Sequence, residues 1–144
     1  MATYTHTIDA KGRVIVPARL RNALTGVLYL TKSLDPDYLA VYNEQSFNEL
    51  RLQLEALSGT DPNVRILRRE LLGEAIACNP DSQGRISVDD GLWQQIGVSA
   101  GDEICFIDMF GKLEICAKTT RDKAKAEGPS LSEIDLSAYN LPGV

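Results

Sequence analysis

The 144-residue sequence holds one histidine, one tryptophan and three cysteines, and each scarcity closes off some chemistry. With a single His and no C-x-x-C spacing, a zinc centre built from His and Cys would lack ligands. Cys78, Cys105 and Cys116 are odd in number and lie in apolar or strand-like stretches, so they read as reduced, buried thiols of a cytoplasmic protein. No Ser/His/Asp or Cys/His set falls in a recognisable motif, and neither a G-x-x-x-x-G-K-[ST] loop nor a dinucleotide fingerprint occurs. The one histidine, His6, sits in an alternating, strand-like stretch and reads as structural. An enzyme is therefore not expected, nor a metal or other cofactor. No apolar run approaches the ~20 residues that span a bilayer, and the first residues lack the charged and apolar regions of a leader, so no membrane association is expected.

What the sequence does contain is a repeat. Asp9-Ala10-Lys11-Gly12-Arg13 returns seventy-two residues later as Asp81-Ser82-Gln83-Gly84-Arg85. An alternating stretch precedes each copy (Tyr4–Ile8; Ala75–Asn79). A β-branched run follows (Val14-Ile15-Val16; Ile86-Ser87-Val88), then a short helix-like segment ending on Leu20 and Leu24, or on Leu92 and Ile96. Two matching half-units point to duplication. The glycine of D-x-x-G-R suits a tight hairpin, since only Gly takes positive φ without steric cost. The arginine leaves the turn at the root of the next strand, where it can reach a partner. It can equally pair with the aspartate of its own turn and simply hold it.

Charge is unevenly spread over the chain, whose net charge is −5. Residues 1–32 carry Lys11, Arg13, Arg19, Arg21 and Lys32 against Asp9 alone, whereas residues 33–64 carry Arg51 against six carboxylates. A basic first half-unit on an acidic protein is what a localised anion-binding face looks like.

The length suits one domain with a tail. Within it, residues 1–42 read as strand (3–8), turn, strand (13–16), short helix (17–24), strand (27–32), turn, strand (39–42). Residues 43–73 read as a helical pair. Phe47, Leu50, Leu54 and Leu57 recur at helical spacing behind an Asn43 cap, and a second helix opens at Asp61-Pro62 and closes at Gly73. Residues 74–117 repeat the first pattern: strands at 74–79, 85–88, 103–107 and 112–117, with a helix at 90–96. Residues 118–144 read as a helix to Glu127 and a mobile polar tail. A ββαββ unit of this size buries too little surface alone. The expected fold is thus α+β, mainly β: two half-units closing one barrel about a pseudo-twofold axis, with the helical pair outside.

With both turns and their spacing in hand, the chain closely resembles the MraZ family, bacterial proteins of the AbrB-like swapped-hairpin class. The resemblance covers about residues 3–120. It rests on His6–Arg13, on Ile15-Val16-Pro17-Ala18-Arg19-Leu20-Arg21, on the helical pair, on Asp81–Ile86 and on Leu113-Glu114-Ile115. It implies a sequence-specific DNA-binding transcriptional regulator, a repressor at the promoter of the division and cell-wall gene cluster that includes its own gene. It also implies a ring-shaped homo-oligomer and a nucleoid-associated location. By carry-over Asp9, Lys11, Gly12 and Arg13, with Arg19 and Arg21, form the DNA-reading region of the first copy. Asp81, Gly84 and Arg85 form a weaker counterpart in the second. There Lys11 has become Gln83, Arg21 has become Trp93, and Pro17-Ala18-Arg19 has become Asp89-Asp90-Gly91, and carboxylates repel phosphates. The alternative is an antitoxin-type protein-binding module that uses the tail at 128–144.

Overall fold

The computed structural model describes residues 3–22 and 24–144. Its strands are β1 (Thr3–Thr7), β2 (Arg13–Ile15), β3 (Leu28–Lys32), β4 (Tyr38–Asn43), β5 (Ile76–Cys78), β6 (Arg85–Ser87), β7 (Glu103–Asp108) and β8 (Leu113–Ala117). Its α-helices are α1 (Glu44–Glu55), α2 (Pro62–Leu67), α3 (Asp90–Gln95) and α4 (Lys118–Glu127).

The class is mixed and mainly β, as the alternating stretches imply. Six strands form one antiparallel sheet in the order β1-β7-β8-β4-β3-β5, and β2 and β6 form a separate two-stranded ribbon. The large sheet is open, ending on β1 and β5. Its order is a palindrome under exchange of the two half-units, because the first strand of each half pairs with the third strand of the other. Thus β1 lies on β7, with His6 opposite Ile104, and β5 lies on β3, with Cys78 opposite Leu28. In the ribbon Val14 faces Ile86, its own counterpart in the second copy. At the sheet centre β4 pairs with β8, Ala40 opposite Glu114.

Side chains alternate across strands, and both faces of the sheet are used. One face joins the ribbon in a core drawn from both halves, including Ile8, Leu28, Leu39, Ile86, Trp93, Ile104, Phe106 and Ile115. Burying each such side chain contributes about 1.5–3 kcal/mol, so neither half could supply this core alone. The other face carries helices. Phe47 of α1 stacks on Tyr29 with ring centroids 4.4 Å apart, and Thr31 donates to the Leu71 carbonyl at 2.8 Å. Cys105 and Cys116 are buried on this side with Ile107 and Tyr38. Burial pushes the Cys116 thiol up to about 12, which keeps it protonated and unreactive.

Several elements differ from the expected ones for identifiable reasons. α1 begins where Asn43 accepts from the Ser46 amide at 2.8 Å, as the cap predicts. The second helix is α only to Leu67 and continues as a π-helical stretch over Arg68–Gly73. There the Arg68 guanidinium turns back to donate to the carbonyls of Leu54, Glu55 and Leu57 that end α1. The helix expected over 17–24, whose residue 23 lies outside the described residues, is a 3-10 turn at Ala18–Leu20. Its counterpart α3 is a true helix. The Asp89 carboxylate caps α3 by accepting from the Gly91 amide at 3.1 Å, whereas Pro17 at the matching position offers no side-chain acceptor. Beyond α4, residues 128–144 are exposed throughout, with short 3-10 turns at Leu131–Glu133 and Leu136–Ala138.

Candidate nucleic-acid interface

The two D-x-x-G-R turns are the same object built twice. In the first, the Asp9 amide donates to the Arg13 carbonyl at 2.9 Å and the Gly12 amide to the Asp9 carbonyl at 3.0 Å. Asp9 Oδ1 accepts from the amides of Lys11 and Arg13, both at 2.9 Å, and Oδ2 accepts from Arg13 Nε at 2.8 Å. In the second, Asp81 Oδ1 accepts from the amides of Gln83 and Arg85 at 2.9 Å, and Oδ2 from Arg85 Nε at 2.7 Å. Gly12 and Gly84 have φ of +77° and +79°, the left-handed region that an L side chain enters only at a cost. The amide of the arginine, then its guanidinium, hold each aspartate below the usual carboxylate range.

Each arginine pairs with the aspartate of its own turn, one of the two roles the sequence allowed. Its Nε holds the turn, while Nη1 and Nη2 have no hydrogen bond among the described residues. With the guanidinium orientation set by one fixed bond, two parallel donors remain for an external acceptor, the bidentate geometry that guanine edges and phosphates accept. This holds for Arg13 and Arg85 alike. Lys11 is exposed and its ammonium makes no ion pair among the described residues. Arg19 is exposed on the 3-10 turn.

What surrounds the turns is not what sequence order suggests. Because the half-units exchange strands, each turn is backed by the helix start of the other copy. Val16, from the first half, donates its amide to the Gly84 carbonyl at 2.9 Å, and Val88, from the second, reaches the Gly12 carbonyl at 3.4 Å. Trp93 Nε1 donates to the Gly12 carbonyl at 2.9 Å. A cleft beside the first turn is lined by Lys11, Gly12, Asp90, Trp93 and Gln94. Arg21, the counterpart of Trp93, lies over Gly84 of the second turn, its Nε held by the Val16 carbonyl at 3.0 Å. The residues Asp9, Lys11, Gly12 and Arg13 thus stand together as expected, but Arg21 does not join them. The acidic pair Asp89-Asp90, read as a handicap of the second turn, begins the helix that backs the first. Sequence comparison of the copies identified the Arg21/Trp93 exchange. It could not say which turn each residue would serve.

Burial, and secondarily the charge of Arg21, hold His6 below its ordinary value, and its ring meets Phe106 edge-on at 5.8 Å. Among the described residues no group of His, Cys, Asp and Glu could hold a metal ion, and no helix is long and apolar enough to cross a membrane.

Comparison with known proteins places the chain in a family. Residues 1–70 match the family model described as "MraZ protein, putative antitoxin-like". A protein of Caldanaerobacter subterraneus subsp. tengcongensis is 34% identical over 144 residues, covering 98% of this chain and 99% of its own length. The chain belongs to the MraZ family. Family members from Thermoanaerobacter sp. (36% identity over 118 residues, 82% of this chain and 80% of the relative) and Corynebacterium efficiens (41% over 99 residues, 69% and 68%) match it as well. All three relatives are named "Transcriptional regulator MraZ", which is not the name of an enzyme.

Proposed function

We propose that this chain is a cytoplasmic, nucleoid-associated transcriptional regulator that binds double-stranded DNA through its D-x-x-G-R turns. It represses the division and cell-wall gene cluster, including its own promoter, by binding sequence repeats there. The observation that carries this reading is the arginine anchored at Nε on its own aspartate, with both η nitrogens free of partners among the described residues, repeated at two turns. The relatives' shared name supports the regulatory role. Asp9, Lys11, Gly12 and Arg13 form the base-reading turn, with Arg13 as the reader of a guanine edge. One turn spans only a few base pairs, so specificity requires several turns acting together. A swapped-hairpin barrel assembled head to tail into a closed ring would supply them on one rim.

The test is Arg13→Ala in a gel-shift assay with the chain's own upstream DNA, alongside light scattering. Loss of one guanine contact costs about 1–3 kcal/mol per subunit, multiplied across the ring. Specific binding is expected to vanish while the assembly keeps its size. Wild-type affinity would overturn the assignment, and a monomer at micromolar concentration would overturn the ring.

A second reading, an antitoxin-type module, draws on the family description and on the tail. Leu131, Ile134, Leu136, Tyr139 and Leu141 are all exposed there, a pattern a protein partner could cover. Pull-downs with and without residues 128–144 separate the two: a partner lost with the tail, together with unchanged DNA binding, supports this added role.

A further inference from the structure

We propose that Arg21 and the second turn together form a phosphate-binding cleft for the DNA backbone, assembled across the two half-units. It rests on the DNA reading above only for what carries the phosphate. The site is defined by four observations. The Arg21 side chain lies so close over Gly84 that a Cβ there would sit 2.4 Å from Nε and 2.7 Å from Cζ, so this approach requires glycine. Arg21 Nε is tied to the Val16 carbonyl, while the Val16 amide is tied to the Gly84 carbonyl; one residue thus links the guanidinium to the turn. Asp81, the carboxylate of the cleft, is already occupied by Arg85 Nε and two amides, and Arg21 makes no ion pair among the described residues. Finally, the open cleft of about 280 Å³ is lined by Arg21 with Thr25, Asn79 and Ser82, neutral hydrogen-bonding groups beside a cation.

That combination favours an oxyanion. A guanidinium whose Nε is spent and whose stem is pressed on backbone cannot extend to a groove floor, but it can meet a phosphate that protrudes towards it. The matching cleft at the first turn differs, with Trp93 in place of Arg21 and the Asp90 carboxylate in its wall beside Lys11. The first turn therefore reads with its own Lys11 and Arg13, while the second gains a cation from the first half.

The test is a double-mutant cycle read by fluorescence anisotropy on duplex DNA, using Arg21→Gln, which keeps the stem, with Arg85→Ala and with Arg13→Ala. Arg21→Gln is expected to weaken specific and non-specific DNA alike and to flatten the salt dependence by about one unit. Combined with Arg85→Ala, the loss should be smaller than the product of the two single losses; with Arg13→Ala the losses should multiply. An unchanged salt slope, or coupling to Arg13 rather than Arg85, overturns the proposal. A measurement without DNA stands beside it: titration of the folded protein with inorganic phosphate, followed through the backbone amide resonances of Ser82–Arg85. Shifts in wild type that vanish in Arg21→Gln support the cleft, and their absence in wild type overturns it. If phosphate shifts these amides but wild type binds no DNA, the DNA reading fails and the cleft stands.

Discussion

The Asp9 and Asp81 turns agree in every internal hydrogen bond to within 0.1 Å, yet one is backed by Trp93 and the other by Arg21. The shared part is set by five consecutive residues: an aspartate that caps two amides, a glycine at positive φ, and an arginine that closes the loop. The differing part arrives from the opposite half of the chain. A duplicated motif can thus keep its local shape while its two copies acquire different chemistry, because the neighbours that tune each copy lie outside it.

Trp93→Ala should separate the turns most sharply. Removing this buried ring costs about 3–5 kcal/mol and strips the Gly12 carbonyl of its indole donor, so thermal unfolding should shift by many degrees. Trp93→Phe, which keeps most of the volume, should cost about 1 kcal/mol. Equal effects of the two would mean the indole bond dominates over the packing.

The glycines come next. Ala at φ near +78° is strained by about 1–2 kcal/mol. At Gly12 the nearest atoms to a new Cβ are 3.7 Å away, ordinary contact, whereas at Gly84 they are those of Arg21. Gly84→Ala is expected to cost about 2 kcal/mol and Gly12→Ala about 1 kcal/mol by urea unfolding. A reversed order would show that Arg21 does not rest on the second turn.

A smaller effect is expected at the helix starts. Asp89→Ala removes the α3 cap and should cost about 1 kcal/mol, read in the same urea titration. Its counterpart Pro17 provides no side-chain acceptor, so Pro17→Ala should lose no cap.

The smallest effect should be common to both turns. Asp9 and Asp81 are held below the unfolded value near 3.9, so each stabilises the fold above about pH 4 and loses that contribution as pH falls through its folded value. Asp9→Asn and Asp81→Asn should flatten this acid limb of stability similarly. A difference between them would reveal that Asp90 or Arg21 reaches the turn carboxylates.

The sequence made legible whatever is decided within a few residues: both turns, the Asn43 cap, the Asp61-Pro62 helix start and the short strands after each arginine. It misled where distant residues decide. Helical periodicity does not distinguish α from the π-helical stretch at Arg68–Gly73, which forms where Arg68 reaches back to the end of α1. The apolar-ended segment at 17–24 predicts a helix matching that at 90–96, although the capping aspartate exists only in the second copy. Charge counting within each copy assigned Arg21 to the first turn and Asp89-Asp90 to the second. Strand exchange reverses both assignments, and no pattern local to either copy encodes it.

The palindromic sheet also sets a timetable. β1 emerges from the ribosome before the other described strands, but its partner β7 lies about a hundred residues later, as the pairing of Thr3 with Ile107 requires. At roughly 5–20 residues per second, the first strand waits about 5–20 s with its edge unpaired. During that interval β3 and β4 can already form their hairpin, while β1 has no partner in its own half. Closure of the sheet therefore waits for β7: a chain stalled before Glu103 holds a finished hairpin and a free strand, the state most exposed to pairing with another nascent copy.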